Sequence, residues 1–231
     1  MSPAPFRLLL LTLALALPAP RFAVAQVPDE DLPGRRPIGI FAADVRVALP
    51  SFDQDPAIAQ RLGVTQENLP GRGYGLVLGA HVYPLRLGPA TVGIGGEMMR
   101  SRGRRTAEPA TQGGPEGPTV RTQFSSMSPQ ISLNFGASEG WSYLSAGLGW
   151  ARFSVDRENT TAPGTPPEAT PDAPRRRTLN YGGGARWFAR PHLAFAIDLR
   201  FYSLSPQEAD GPHPAMPQTR RLVLSAGVAF K

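Results

Sequence analysis

Leu193-Ala-Phe-Ala-Ile-Asp-Leu-Arg-Phe-Tyr-Ser-Leu204 is the stretch whose reading decides the fold. Leu193, Phe195, Ile197, Leu199 and Phe201 fall on one side of a period-two pattern, and Ala194, Ala196, Asp198, Arg200 and Tyr202 on the other. Successive side chains of a β-strand point to opposite faces, so this is a strand with one apolar face and one small or charged face. Just upstream, Leu179, Tyr181, Ala185 and Trp187 alternate with Asn180, Gly182, Gly184 and Arg186. Arg190-Pro191-His192 leaves room only for a tight turn, which predicts an antiparallel hairpin. Either face of such a hairpin could be the core. A soluble sandwich buries the apolar face; a membrane barrel turns it to lipid and keeps Arg186, Asp198 and Arg200 in its lumen.

Outward from the hairpin the same alternation recurs over Ile38–Leu49, Tyr74–Arg86, Ala90–Arg100, Thr122–Gly136, Trp141–Val155 and Arg220–Phe230, eight strands in all. Pro129 has no amide hydrogen and asks for an edge, a bulge or a frayed position. The connections alternate strictly in length. Short ones lie near Gly88, Ser138 and Pro191; long ones centre near Asp55, Gln112, Thr165 and Gly211. In an up-and-down meander, odd and even connections lie at opposite ends, so all tight turns share one rim and all long loops the other. That is the layout of a bacterial outer-membrane barrel. Within the first long loop, Pro50–Gly73, Pro56–Leu62 predicts one or two helical turns. Ser101–Val120 has no apolar set to bury and reads as a mobile low-complexity loop; Asp156–Arg177 reads as a second, and Ser205–Thr219 as the last.

The soluble alternative is a lipocalin-like barrel or a sandwich. Two features count against it. The face bearing Gly75, Gly79, Gly93, Gly95, Gly147, Gly149, Gly182 and Gly184 makes a poor exposed surface but a good filling for a narrow barrel. Aromatic residues gather near strand ends (Phe41, Tyr74, Tyr83, Phe135, Trp141, Trp150, Trp187, Phe201 and Phe230), as an interfacial girdle would place them. The expected fold is therefore all-β: an eight-stranded antiparallel up-and-down transmembrane β-barrel over residues 37–231.

The N-terminus reads as a targeting segment. Arg7 precedes a ten-residue apolar run, Leu8–Leu17, and Ala23-Val24-Ala25 supplies a small-x-small cleavage site. A membrane helix needs roughly 20 apolar residues, so 1–25 is expected to be a signal peptide and 26–36 a short periplasmic leader. The chain has no cysteine, which excludes disulfides and thiolate chemistry. Its formal charge is +6, or +4 without Arg7 and Arg21, and every basic side chain but Lys231 is arginine. Export argues against nucleic acid as the partner. Anionic lipid headgroups and lipopolysaccharide phosphates suit arginines at strand ends.

Tyr181-Gly-Gly-Gly-Ala-Arg186, Asp198-Leu-Arg200-Phe-Tyr202 and the terminal Leu222-x-Leu-x-Ala-Gly-Val-Ala-Phe230 resemble the outer-membrane β-barrel domain family, with its small OmpA-type and OmpW-type eight-stranded porin-like members. Ser128-Pro129-Gln130, Leu133-Asn134-Phe135-Gly136 and Ser145-Ala146-Gly147-Leu148-Gly149 are in the same style, so the resemblance covers nearly all of the mature chain. It implies architecture rather than an activity. It also implies delivery by periplasmic chaperones and insertion by the barrel-assembly machinery, with Leu222, Leu224, Ala226, Val228 and Phe230 as the C-terminal assembly signal. The family usually ends on the aromatic itself, whereas here Lys231 follows Phe230, and no further periplasmic domain is expected.

Asp44, Arg46, Glu97, Arg186, Asp198 and Arg200 are the charges expected to face inward. Buried charges must be paired, and three acids balance three arginines, so these six predict an ion-pair network that closes the lumen. The function expected is structural or interactive, with four surface loops on display, their ligand unspecified, and no enzymatic activity or cofactor. A narrow channel for small solutes is one alternative. A lipid A-modifying enzyme is another, because His81 and Glu97 share inward parity on neighbouring strands. However, the residue two after His81 is Tyr83, not the serine of a His-x-Ser esterase pattern. His192 and His213, in a turn and a loop, make no metal set with His81. Asn159-Thr160-Thr161 matches a glycosylation pattern with no expected meaning in a bacterial envelope. The clusters Arg102 to Arg105 and Arg175 to Arg177 are expected to flank outer loops, open to lipid phosphates or to solvent and to protease in intact cells.

Overall fold

The computed structural model describes residues 36–109, 116–158, 173–209 and 215–231. The expected signal peptide, most of the leader and the Asn159 pattern fall outside them. The strands are β1 Phe41–Pro50, β2 Tyr74–Leu87, β3 Ala90–Thr106, β4 Thr119–Ala137, β5 Gly140–Glu158, β6 Arg176–Arg190, β7 Leu193–Leu204 and β8 Thr219–Phe230. Each pairs antiparallel with its sequence neighbours, and β1 pairs with β8, closing the barrel. Closure gives every strand two partners, which is what a sheet needs in a medium that cannot hydrogen-bond its edges.

Two-residue connections, Gly88-Pro89, Ser138-Glu139 and Pro191-His192, make the three tight turns on one rim. Gly88 takes a positive φ of 55°, in the left-handed region where a side chain is strained. On the opposite rim, α1 (Pro56–Leu62) sits in the first long connection. Asp55 caps it by accepting a hydrogen bond from the Ala57 amide, and Pro56 opens its first turn.

The barrel is apolar outside and polar within. Leu148, Phe195, Ile131 and Leu144 are between 62% and 69% exposed, whereas Asp44, Arg46, Asp198 and Arg200 are at most 3% exposed. In water such an exterior would be an aggregation surface; around a closed barrel it is a lipid face. Three layers fill the interior. Toward the turns, Ile38, Ala42, Tyr83, Trp141 and Tyr143 pack with Phe188. Toward the loops, Phe52, Ala59, Leu69, Phe124, Phe153 and Leu204 pack under α1, with Ile58 and Leu62 against them. The charged layer lies between.

Four sequence expectations change. First, β3 runs on to Thr106, pairing with Thr119 of β4, so Ser101–Thr106 and Thr119–Val120 are strand rather than loop. Second, Asp156–Glu158 and Arg176–Arg177 likewise belong to β5 and β6. Ladder hydrogen bonds do not depend on apolar periodicity, so the hairpins continue beyond the lipid face as polar ribbon. At about 3.3 Å per residue and a 45° tilt, the 19 residues of β4 rise roughly 44 Å, well beyond a hydrocarbon core of about 30 Å. Third, Tyr83 and Trp141 are 8% and 3% exposed, so they leave the girdle and point inward. Their rings meet edge to face at 5.9 Å, and Phe188 stacks on Trp141 at 5.0 Å. Phe41, Tyr74, Phe135, Trp150, Trp187 and Phe230 do face outward. Fourth, Pro129 sits mid-strand opposite Gly96, where a closed barrel has no edge to offer. The β4–β5 ladder lapses at Ser128 and Pro129 and resumes in the same register, which accommodates the missing N–H.

Candidate functional site

Alternation along β1, β3, β6 and β7 points Asp44, Arg46, Glu97, Arg186, Asp198 and Arg200 into the barrel, and closure brings them within reach of one another. Arg46 is the hub. Its Nε lies 2.7 Å from Asp44 Oδ1, its Nη2 2.5 Å from Glu97 and its Nη1 3.2 Å from Asp198. Arg186 reaches the other Asp44 oxygen at 2.6 Å. Arg200 lies 3.0 Å from Asp198 and 3.5 Å from Glu97. Each acid therefore meets two arginines.

Residues outside the six complete the shell. Tyr202 donates to Glu97 at 2.5 Å and Tyr143 to Asp198 at 2.9 Å. Arg200 also donates to Asn180 and Ser145, and Arg46 to Ser225. The Arg186 guanidinium lies 4.5 Å from the Tyr143 ring centroid. Space for these large groups comes from inward glycines. A Cβ on Gly79 would lie 2.8 Å from Asp44 Oδ1, and one on Gly184 would lie 2.7 Å from the Tyr143 hydroxyl. Tyr143, Asn180, Ser145 and Ser225 were visible only as inward-parity residues; nothing in the sequence says which charge each would serve.

The buried ion-pair layer lies between aromatic packing on one side and apolar packing on the other. A polar, filled interior wrapped in an apolar belt is the inverse of a soluble protein, and only a lipid bilayer solvates that belt. The chain is an eight-stranded outer-membrane-type β-barrel.

No protein-family model and no curated protein matches its sequence. Among solved structures, Neisserial surface protein A (NspA) is similar at 16% identity and a TM-score of 0.46, over 83% of this chain and 95% of that one. The attachment invasion locus protein Ail of Yersinia pestis, solved with the heparin analogue sucrose octasulfate, is similar at 14% identity and a TM-score of 0.40, over 82% and 96%. The outer membrane protease OmpT of Escherichia coli is similar at 8% identity and a TM-score of 0.40, over 70% of this chain and 64% of that one. At these identities the likeness is one of strand architecture alone, and it does not settle whether the barrel is an enzyme.

His81 points inward opposite Gly95, and neither ring nitrogen has a hydrogen-bond partner, so the structure does not join it to Glu97 or to a serine. Among the described residues no group of acids and histidines has a metal-binding arrangement. Of the C-terminal set, Leu224, Ala226 and Phe230 are exposed on the lipid face of β8, while Leu222 and Val228 are half-buried on it. Lys231 folds under the turn-side rim. Its Nζ donates to the Ser138 carbonyl and lies 3.9 Å from the Phe188 ring centroid.

The arginines of the extended hairpins face outward in register. Arg100, Ser125 and Arg152 are neighbours across β3, β4 and β5. Directly beneath them lie Met98, Met127 and Trp150, and Trp150 pairs with Arg177 of β6. Higher up, Arg104 and Arg121 both bind Glu158, at 2.9 and 3.0 Å. Arg102 donates to the Tyr74 hydroxyl across the β2–β3 pair. A basic row therefore rests on an apolar row at the loop-side end of the lipid face.

Proposed function

We propose that this protein is a non-conducting, non-enzymatic barrel that reinforces the outer membrane and displays its four loop-side connections for interaction. The observation that carries this reading is the lumenal layer in which three acids and three arginines pair with one another. A hydrated ion crossing the barrel would have to part several charge-assisted pairs at once, in a lumen that eight strands make barely wide enough for side chains. The basic row over Met98, Met127 and Trp150 supports contact with phosphates of outer-leaflet glycolipid, whose acyl chains would lie along the apolar row. We further assign residues 1–25 to a cleaved signal peptide, and the outward face of β8 to recognition by the barrel-assembly machinery after escort by periplasmic chaperones.

Reconstitution of the refolded barrel in planar bilayers tests the closed lumen. The wild type is expected to be electrically silent, and Arg46→Ala with Asp198→Ala is expected to admit small ions. Steady unitary conductance in the wild type would replace this reading with the narrow channel.

A further inference from the structure

At the loop end a pocket of about 210 Å³ opens between α1 and the segment entering β8. Asp53, Asp55, Ile58, Phe153, Met216 and Arg221 line it. Arg221 stands out among the buried arginines. It is 2% exposed, yet its Nε and Nη1 have no hydrogen-bond partner among the described residues. No ion pair joins it to a carboxylate among the described residues. Arg176, equally buried at the same end, donates to the Ser205 and Pro217 carbonyls, and Arg46 and Arg200 are saturated. Arg186 also has an unpartnered Nε, but its Nη2 reaches Asp44 at 2.6 Å, whereas Arg221 has two unpartnered nitrogens and no carboxylate among the described residues. A buried charge with free donors is costly unless something supplies acceptors.

Arg221 is held rather than loose. Its guanidinium carbon lies 3.5 Å from the Phe153 ring centroid and 5.7 Å from that of Phe52. Packing on an aromatic ring occupies one face of the guanidinium and leaves its N–H edges for in-plane acceptors, the geometry that suits a carboxylate. The surrounding wall is apolar at Ile58, Phe153 and Met216. One Asp55 oxygen is committed to capping α1. Asp53 and Arg61 add one exposed charge of each sign to the lining, so with Asp55 and Arg221 the lining is balanced and carries no excess positive charge to favour a doubly charged anion over a singly charged one. A volume of about 210 Å³ admits a compact ligand.

We propose that this pocket binds a small monocarboxylate with an apolar body, the carboxylate held by Arg221 and the body by Ile58, Phe153 and Met216. The site is independent of the lumen below it and stands whether or not the barrel conducts.

Benzoate is a suitable probe. The full mature chain, refolded in micelles with methyl-labelled methionine, is titrated with sodium benzoate at constant ionic strength. Met216 is expected to shift saturably, while Met98 and Met127 on the lipid face stay still. Arg221→Met keeps an apolar stem of similar length and is expected to abolish the Met216 titration. Arg221→Lys keeps the charge without the planar fork and is expected to weaken binding about ten-fold, a second route should the methionine variant fail to fold. Asp53→Asn is expected to tighten it. A flat Met216 signal in the wild type, an unchanged titration in both Arg221 variants, or inorganic phosphate binding as tightly as benzoate would each overturn the proposal.

Discussion

Asp198 and Arg200 lie two residues apart on β7, share its inward face, and meet at 3.0 Å between Oδ2 and Nη2. Side chains two apart on a strand point the same way, so the pair is prepared by local geometry before the barrel closes. Closure then adds Arg46 to Asp198 and Glu97 to Arg200, and the local pair becomes part of a six-charge network.

Removing one partner strands the others. Asp198→Ala leaves Arg46 and Arg200 with one fewer buried acceptor, and truncating a buried pair in this way typically costs about 3–5 kcal/mol. The expected outcome is a lower urea midpoint for folding into lipid vesicles. The double variant Asp198→Ala with Arg200→Ala should cost less than the two single losses added together.

The inward glycines limit how the interior can change. Gly184→Ala would set a methyl 2.7 Å from the Tyr143 hydroxyl and against the Ile197 carbonyl. Overpacking of this kind costs about 1–3 kcal/mol. The folded band on unheated gels should convert to the unfolded position at a lower temperature than in the wild type. A control at Gly88 reports on the turn instead, since nothing stands near its absent side chain and only its φ of 55° opposes substitution.

Trypsin should spare Arg102 to Arg105 in intact cells. Their backbone is laddered to β4 up to the Thr106–Thr119 pair, and a protease must pull its substrate out of a sheet before cutting it. Arg175, just ahead of β6, is the accessible site of the second cluster. Peptide mapping by mass spectrometry distinguishes the two.

The outward arginine row should make glycolipid retention salt-dependent. Arg100→Glu with Arg177→Glu reverses charge above Met98 and beside Trp150. Co-purified lipopolysaccharide should fall several-fold relative to the wild type. For the wild type, retention should fall as ionic strength rises through about 0.15 M, where the Debye length is about 8 Å.

The period-two alternation over Leu193–Leu204, repeated seven more times, determined which residues share a face, and the alternating connection lengths and the glycine-rich face pointed from sequence to a barrel with its apolar face outward. Inside or outside is a parity, and parity is written residue by residue. The six lumenal charges were legible for the same reason. Only the tertiary structure decided their partners, because that depends on register between strands distant in sequence: Arg46 meets Glu97 and Arg186 meets Asp44 across 51 and 142 residues. The same register decided that the hairpins outrun the bilayer, that arginines at that end align into a row, and that Arg221 is buried against aromatic rings with Nε and Nη1 unpartnered among the described residues. Alternation says which way a side chain points; closure of the sheet says what it meets there.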